Sequence, residues 1–256
     1  MDLKDKVALV TGASRGIGAA TALLAARAGY AVAVNYANNS LAADEVVRRI
    51  RADGGNAITV QADVADEAQI LAMFDKVDAK LGTLSALVNN AGVVDVTCRV
   101  DAMDVTRLQR MFNINIVGPF VCAREAVRRM STIHGGTGGA IVNVSSAAAR
   151  LGSPGQYVDY AASKGAIDTF TLGLAREVAT EGIRVNTVRP GITDTEIHAS
   201  IGEAGRAQAS AHLIPLQRPG RAEEIAEAIL FVGGPTGGFI NGEVLTVDGG
   251  HSINPL

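Results

Sequence analysis

The sequence at residues 7–18, VALVTGASRGIG, joins a short aliphatic run to a turn with three glycines, and the helical pattern AATALLAARAG follows it. Glycine lets the backbone turn sharply and approach a ligand closely. The start of the following helix offers unpaired amides and the positive end of its dipole to an anion. The stretch therefore predicts a strand, a phosphate-binding turn and a helix. The candidate binding residues are Gly12, Ser14, Arg15, Gly16, Ile17 and Gly18.

Strand and helix patterns alternate along the rest of the 256-residue chain. Aliphatic runs predict strands at residues 7–10, 31–35, 57–61, 86–88, 140–144, 184–188 and 244–247. Helical periodicity predicts crossover helices at residues 17–28, 41–52, 67–80, 106–130, 157–180 and 221–232. No linker or shift in composition divides the chain. The sequence predicts an α/β single-domain Rossmann fold, with a doubly wound, seven-stranded parallel sheet in three layers.

The longest stretch without a clear period is residues 191–216. Long loops in compact domains tend to be functional, so we expect this substrate-loop segment to lie beside the site. Its isoleucines and leucine could line an apolar pocket or belong to the core, and its histidines could face substrate or solvent. These residues are Ile192, Ile197, Ile201, Leu213, Ile214, His198 and His212.

Charge and composition argue against several classes of partner. The chain has 23 Lys and Arg against 26 Asp and Glu, a net charge of -3, so it lacks the basic field that binds nucleic acid or an anionic membrane. The four His residues are scattered, and no metal site is expected. The N-terminus is charged where a secretion signal is apolar, and Cys98 and Cys122 form no disulfide framework. We expect a cytoplasmic protein.

The end of the second strand bears on the choice of nucleotide. An acid at this place, near Asn35 and Tyr36, would bind the adenosine ribose of NAD and repel the 2'-phosphate of NADP. No acid appears before Asp44, and Arg15 is a possible phosphate partner, which favours NADP over NAD. On this interpretation Asn35→Asp should shift the preference towards NAD.

Two further turns follow predicted strands and are candidates for the same ligand. Asp63 and Val64 follow the third strand, where the carboxylate could meet the adenine amine. The sequence Asn90-Ala91-Gly92 follows the fourth strand. Either could instead be an ordinary turn.

Tyr160 and Lys164 lie four residues apart on a predicted helix, so both side chains face the same way. A nearby cation stabilises phenolate, which would lower the Tyr160 pKa and make it a general acid or base. Tyr157 is a poorer candidate, since Ala161 takes the place of the cation. The fifth strand ends at Ser145-Ser146, where a hydroxyl can hold a substrate carbonyl; we favour Ser146, and Ser145 is the rival.

The order of these motifs resembles the short-chain dehydrogenase/reductase family. They are TGASRGIG, NNAG, the serine after the fifth strand, YAASK and RPGITDT, and the resemblance runs from about residue 6 to residue 250. It implies NADP-dependent hydride transfer between the nicotinamide and a small carbonyl or alcohol substrate, in a homotetramer. The implied catalytic residues are Asn115 for a proton relay, Ser146 for the carbonyl, Tyr160 as acid/base and Lys164 on the nicotinamide ribose. Pro190, Gly191 and Thr193 should line the nicotinamide side.

Two departures from the family pattern are visible. Ser146 lies fourteen residues before Tyr160, where thirteen is commoner, and the extra residue is most easily accommodated near residues 152–155. GGPTGG at residues 233–238 replaces a more polar turn. Two alternative functions stay open, an NAD-dependent sugar or polyol dehydrogenase resembling glucose dehydrogenase, and a dinucleotide sensor without catalysis.

Overall fold

The central element of the computed structural model, which describes residue 3, residues 6–196 and residues 205–253, is a seven-stranded parallel sheet. Its strands are β1 (Val7–Val10), β2 (Ala31–Tyr36), β3 (Ala57–Gln61), β4 (Leu84–Asn89), β5 (Gly139–Val144), β6 (Ile183–Pro190) and β9 (Val244–Val247). The spatial order is β3-β2-β1-β4-β5-β6-β9. A separate two-stranded ladder pairs β7 (Thr193–Asp194) with β8 (Gly220–Arg221).

Helices cover both faces of the sheet. On one face α1 (Gly16–Arg27), α2 (Ser40–Ala52) and α9 (Ala222–Gly233) pack on the outward side chains of β1, β2 and β5. On the other face lie α3 (Glu67–Leu81), α5 (Gly118–Met130) and α7 (Val158–Glu177), which follows the single turn of α6 (Ala148–Leu151). The short helices α4 (Val105–Phe112) and α8 (Arg206–Ala209) belong to the connections that follow β4 and β7. Aliphatic strands are buried because both faces are covered.

The predicted fold class is confirmed, and the differences are local. All seven predicted strands are present, with β4 and β6 longer at both ends than predicted. The predicted helix 106–130 is instead α4, a π-helical turn at Asn113–Val117 and α5. No helix in the described part of the chain is long and apolar enough to cross a membrane.

The sheet order fixes where a ligand can bind. The chain runs outward from β1 to β3 on one side, and β4 begins the other side next to β1. Side chains and loops at the carboxyl ends of β1 and β4 therefore diverge and leave a crevice between them. The glycine turn after β1 and the NNAG sequence after β4 both lie there.

Candidate active site

The glycine turn after β1 requires glycine at its first and last predicted positions. Gly12 has φ +61°, and a Cβ added there would lie 2.9 Å from the Ala91 Cα. A Cβ added at Gly18 would lie 2.5 Å from the Asn90 Nδ2 atom. Helix α1 begins with no acidic residue in its first turn, and its N-cap Arg15 makes no capping bond with its side chain. Unpaired first-turn amides make this end of α1 suited to an anion.

The Asn35 side chain points into the protein and not towards the predicted nucleotide site. Its side chain is buried, its Oδ1 accepts from the Gly12 amide at 3.0 Å, and its Nδ2 donates to the carbonyls of Val60 at 3.2 Å and Ala62 at 3.0 Å. Every polar atom of the amide is therefore used to hold the glycine turn to β3. Asn35 is a nucleotide-binding candidate from the sequence, but β2 directs its side chain into the protein, where these three hydrogen bonds occupy it.

Asn90 also holds the glycine turn. Its Nδ2 donates to the carbonyls of Thr11 at 2.8 Å and Gly12 at 3.1 Å, and the Thr11 hydroxyl accepts from the amides of Asn90 and Ala91, both at 3.0 Å. The two turns at the crevice are thus bonded to each other. The rest of the predicted nucleotide face is more open, since Arg15 and Asp63 are exposed and Tyr36 is half-buried.

The turn after β3 presents the Asp63 carboxylate. The Asp63 Oδ1 atom accepts from the Ala65 amide at 2.9 Å, and the neighbouring Val64 is buried. A Cβ added at Gly118 would lie 2.5 Å from the Val64 carbonyl oxygen, so the start of α5 closes on this turn.

Lys164 lies buried between β5 and the NNAG turn. Its Nζ donates to the Val144 carbonyl at 2.8 Å and lies 5.7 Å from the centroid of the Tyr160 ring. A Cβ added at Gly92 would lie 3.4 Å from both this Nζ and the Asn115 Oδ1 atom. The structure therefore brings Gly92, Asn115, Tyr160 and Lys164 together.

Ser145 and Ser146 have separate surroundings. The Ser145 hydroxyl is buried and donates to the Lys164 carbonyl at 3.2 Å, so it packs α7 onto β5. The Ser146 hydroxyl accepts from the Ala148 amide at 3.2 Å and forms a hydrogen bond with the Tyr160 phenol. Ser146 is therefore the serine that faces Tyr160, and the loop between them turns with positive φ at Gly152, Ser153 and Gly155.

The pKa shifts of Tyr160 and Lys164 differ from the prediction. Burial raises the pKa of Tyr160 above 10.0, and the Ser146 hydrogen bond opposes that rise only in part. Burial also lowers the pKa of Lys164 from 10.5 to about 8, against the opposing charge of Asp168. The expected lowering of the Tyr160 pKa is not found in the free protein, because loss of hydration decides the direction and only the Ser146 hydrogen bond opposes it.

Asn115 lies in the π-helical turn and is fully buried. Its Oδ1 accepts from the Val93 amide at 2.8 Å, and its Nδ2 donates to the Val93 carbonyl at 2.9 Å and the Ser163 hydroxyl at 3.2 Å. Pro119, four residues on, has no N–H, so the Asn115 carbonyl has no α-helical donor. The side chain thus fixes the residues after Gly92 against α7.

The residues after β6 fold back over the crevice. Gly191 donates to the Val247 carbonyl at 3.0 Å, and a Cβ there would lie 2.5 Å from the Asp248 Cβ. Thr193 is buried, and a Cβ added at Gly16 would lie 3.5 Å from the Thr195 Cβ. Sequence reasoning missed Thr195, although it stands in the quoted RPGITDT motif.

The substrate-loop segment is described only in part. Its Ile197, His198 and Ile201 lie outside the described residues. Ile214 is buried and belongs to the core, whereas Leu213 and His212 are exposed. Among residues 6–196 and 205–253, no three His, Cys, Asp or Glu side chains are grouped to hold a metal ion.

Comparison with known proteins gives matches over nearly the whole chain. A family model described as "Enoyl-(Acyl carrier protein) reductase" matches residues 12–252. The chain is 54% identical over 244 residues to "Uncharacterized oxidoreductase YgfF" of Escherichia coli (strain K12), covering 95% of this chain and 99% of that one. It is 39% identical over 249 residues to a "3-oxoacyl-[acyl-carrier-protein] reductase" of Synechocystis, covering 97% of each.

A solved structure is similar in fold as well as sequence. It is a short chain dehydrogenase from Burkholderia cenocepacia J2315 in complex with NADP, with a TM-score of 0.88 and 38% identity. The match covers 98% of this chain and 99% of the other.

Proposed function

Because the chain belongs to the short-chain dehydrogenase/reductase family, we propose that it is an NADPH-dependent reductase of small carbonyl compounds, with Tyr160 as the proton donor. Membership of this family supports an oxidoreductase that acts on alcohol and carbonyl groups. The NADP preference, the direction and the residue roles are our proposals.

The hydrogen bond between Ser146 and the Tyr160 phenol, beside the Lys164 ammonium, carries the proposed chemistry, and the protonation state of the phenol supports the direction. Burial raises the Tyr160 pKa, so the phenol keeps its proton at neutral pH and is ready to donate it. Oxidation of an alcohol would need the phenolate as a base. An NAD-dependent sugar or polyol dehydrogenase is the alternative, in which Tyr160 would act as the base.

The site residues divide the remaining work. Ser146 is bonded to the Tyr160 phenol and would hold the carbonyl oxygen beside it. As the carbonyl oxygen takes the proton, the phenolate left on Tyr160 would be stabilised by the Lys164 ammonium, 5.7 Å from the ring centroid. Asn115 would position the proton relay that recharges Tyr160 through Lys164. A bound NADPH supplies the hydride to the carbonyl carbon.

The crevice fits a dinucleotide. Gly12 and Gly18 are placed where a Cβ would collide, and the amides at the start of α1 favour a diphosphate. We assign the nucleotide to the predicted residues other than Asn35 and the Asn90 side chain, which hold the turn. They are Gly12, Ser14, Arg15, Gly16, Ile17, Gly18, Tyr36, Asp63, Val64, Ala91, Gly92, Tyr160, Lys164, Pro190, Gly191 and Thr193.

The direct test is turnover of NADPH and NADH against ketones, β-keto esters, quinones and sugar lactones. Tyr160→Phe should retain most of the NADPH affinity of the parent, since it removes one hydroxyl among many nucleotide contacts, and should lose about 10³-fold or more in kcat. Tyr30→Phe is the matched control, since it removes another buried phenol far from the site. Tight NADPH binding with no turnover by the parent enzyme would favour the sensor.

The nucleotide preference has its own test. Arg15 is exposed at the anion-binding end of α1, and no acid follows β2 before Asp44. Arg15→Gln should weaken NADPH binding by about tenfold and leave NADH binding unchanged, since only NADPH carries the 2'-phosphate. Arg48→Gln on the exposed side of α2 serves as the control. Equal losses for both nucleotides would contradict this assignment.

We also propose a homotetramer, from two separate apolar surfaces. The surface on α5 and α7, with the adjoining end of the π-helical turn, exposes Val117, Phe120 and Leu172, and Phe120 stacks on Phe170 with centroids 3.7 Å apart. The surface near α9 exposes Phe231 and Phe239. Apolar patches of this kind mark contacts between subunits, and two of them suit twofold interfaces in a closed tetramer.

A further inference from the structure

Arg107 on α4 forms a buried ion pair at the start of the helix that carries Tyr160. Its Nε donates to the Asp159 Oδ2 at 2.8 Å and its Nη2 to the Oδ1 at 3.3 Å. The Asp159 side chain is 0% exposed and that of Arg107 is 10% exposed. The next arginine on α4, Arg110, pairs with Asp95 at the surface, at 54% and 27% exposure. Buried ion pairs contribute little net stability, because desolvation offsets the attraction between the charges. The effect of the Arg107–Asp159 pair is therefore to hold α4 in a fixed position against the start of α7.

The same guanidinium also holds the loop after β4. Its Nη1 donates to the Val96 carbonyl at 2.7 Å. The next two residues of the loop are bonded to the start of α7, Thr97 through its hydroxyl to the Tyr157 oxygen at 3.2 Å and Cys98 through its amide to the Gln156 carbonyl at 2.9 Å. Residues 93–98, called the 93–98 segment from here on, are thus hydrogen-bonded to the N-terminal turn of α7.

The 93–98 segment runs along the reacting groups. It starts at Val93, which is bonded to Asn115 and follows the glycine beside the Lys164 ammonium. It ends on the residues just before Asp159 and Tyr160. A substrate whose oxygen meets the Tyr160 phenol therefore has this segment on one side, and its substituents are placed against it.

We propose that Arg107 is a positioning residue that fixes the 93–98 segment against the Tyr160 helix and so selects the face of a prochiral ketone that is reduced. The proposal rests on the proposed reductase function. Arg107 meets no substrate in this assignment; it acts through the segment that it holds. A lysine could keep the charge beside Asp159, but its single ammonium cannot repeat the planar fork and also reach the Val96 carbonyl.

Cys98 supplies a measurement that needs no turnover. It lies in the 93–98 segment and is half-buried, whereas Cys122 is buried and burial raises its pKa to about 12. Modification of the folded protein by a thiol reagent therefore reports Cys98 first. If Arg107 holds the segment, Arg107→Met should raise the modification rate of Cys98 by about fivefold or more.

The catalytic test is the enantiomeric ratio of the alcohol formed from a prochiral ketone. Arg107→Met and Arg107→Lys should each raise the ketone KM and reduce the enantiomeric ratio by about tenfold, with NADPH affinity unchanged. Arg48→Met is the control, since this exposed arginine pairs with Glu45 on its own helix α2, and it should change neither the ratio nor the Cys98 rate. The Lys variant decides the matter if the Met variant does not fold.

Three results would overturn the proposal. One is an unchanged Cys98 rate in a folded Arg107 variant, because the segment is then held by other contacts. Another is a faster Cys98 reaction with an unchanged enantiomeric ratio, because the segment then has no part in selecting the face. The last is a parent enzyme that reduces no ketone with NADPH; this removes the proposed function, while the Cys98 rate still decides whether Arg107 holds the segment.

Discussion

At the scale of single residues, Asn35 shows how one buried amide can hold a binding turn in shape. It accepts from the Gly12 amide and donates to two carbonyls of the β3 end. An aspartate would still accept from Gly12, but it would set a carboxylate against the carbonyls of Val60 and Ala62. Only an amide satisfies all three neighbours.

We therefore expect Asn35→Asp to lower the free energy of unfolding by about 3 kcal/mol, since it leaves a buried charge facing two acceptors. Binding of NADPH and NADH should weaken together as the turn loosens. This replaces the expectation from sequence that the substitution shifts preference towards NAD. Urea unfolding and nucleotide titrations measure both effects, with Asn56→Asp as the control, since Asn56 is exposed and precedes β3, at the opposite end of the strands from Asn35. A stable variant that gains NADH affinity alone would restore the original interpretation.

Lys164 links stability to pH. Burial lowers its pKa from the ordinary value of 10.5 to about 8 in the folded protein, so between these pH values the unfolded chain binds more protons. Above the unfolded pKa of 10.5, Lys164 is neutral in both states and its burial carries no penalty. As the pH falls from 10.5 through about 8 this part of the stability is lost, and the buried amine becomes charged. Compared with Lys164→Met, the parent should gain about 2 kcal/mol in unfolding free energy between about pH 7.5 and about pH 9.5. A stability difference that stays constant over this range would contradict the lowered pKa.

At the scale of elements, the strands could be predicted and the interruption of a helix could not. Buried parallel strands are short aliphatic runs, which stand out in the sequence between glycine-rich turns. The π-helical turn at Asn113–Val117 adds a residue without changing the apolar period by much, so the pattern predicts one continuous helix. The apolar pattern alone therefore misses the interruption. Pro119 is a sign of it in the sequence, because proline has no N–H to donate to the Asn115 carbonyl.

The proposed catalytic side chains could be found in the sequence, whereas the residues that support them could not. Tyr160 and Lys164 are recognised by spacing on one helix, and spacing is written in the sequence. Asn35, Arg107 and Arg184 act through partners 11 to 56 residues away, and the sequence pattern contains no sign of those pairings.

Arg184 explains the glycine-rich stretch that departs from the family pattern. Its guanidinium donates to carbonyls at the end of α9 and in the turn that follows, at distances of 2.6 to 3.2 Å. The acceptors are Val232, Gly233, Gly234, Gly237 and Ile240. A Cβ added at Gly237 would lie 2.4 Å from the Phe231 carbonyl oxygen, so the turn can wrap this closely only with glycine.

Arg184→Met should therefore cost about 3 kcal/mol or more in unfolding free energy, because it leaves several helix-end carbonyls without donors. The loss should be accompanied by faster amide exchange in residues 232–240. Arg27→Met, which removes an exposed arginine, should cost less than about 0.5 kcal/mol. If both variants unfold at the same urea concentration, the carbonyls are satisfied in another way.

At the scale of the whole molecule, the two apolar surfaces predict a stepwise assembly. Phe120→Asp should remove the interface on α5 and α7, and Phe239→Asp the interface near α9, each by placing a charge in an apolar contact. Sedimentation should then show a tetramer for the parent, a dimer for either variant and a monomer for the double variant. A tetramer that survives both substitutions would show that subunits meet elsewhere.

The order of the strands also places nucleotide preference and substrate selection in different parts of the sequence. In the proposed assignment, residues before β4, which begins at Leu84, bind the phosphates and the adenosine ribose, whereas the proposed catalytic residues all lie between β4 and β6. The two halves meet along the β1–β4 pairing and between α1 and α9, and at the crevice the Asn90 side chain bonds only the main-chain carbonyls of Thr11 and Gly12. A recombination near residue 83 should therefore yield a working chimera, in which nucleotide preference is inherited from one parent and substrate from the other.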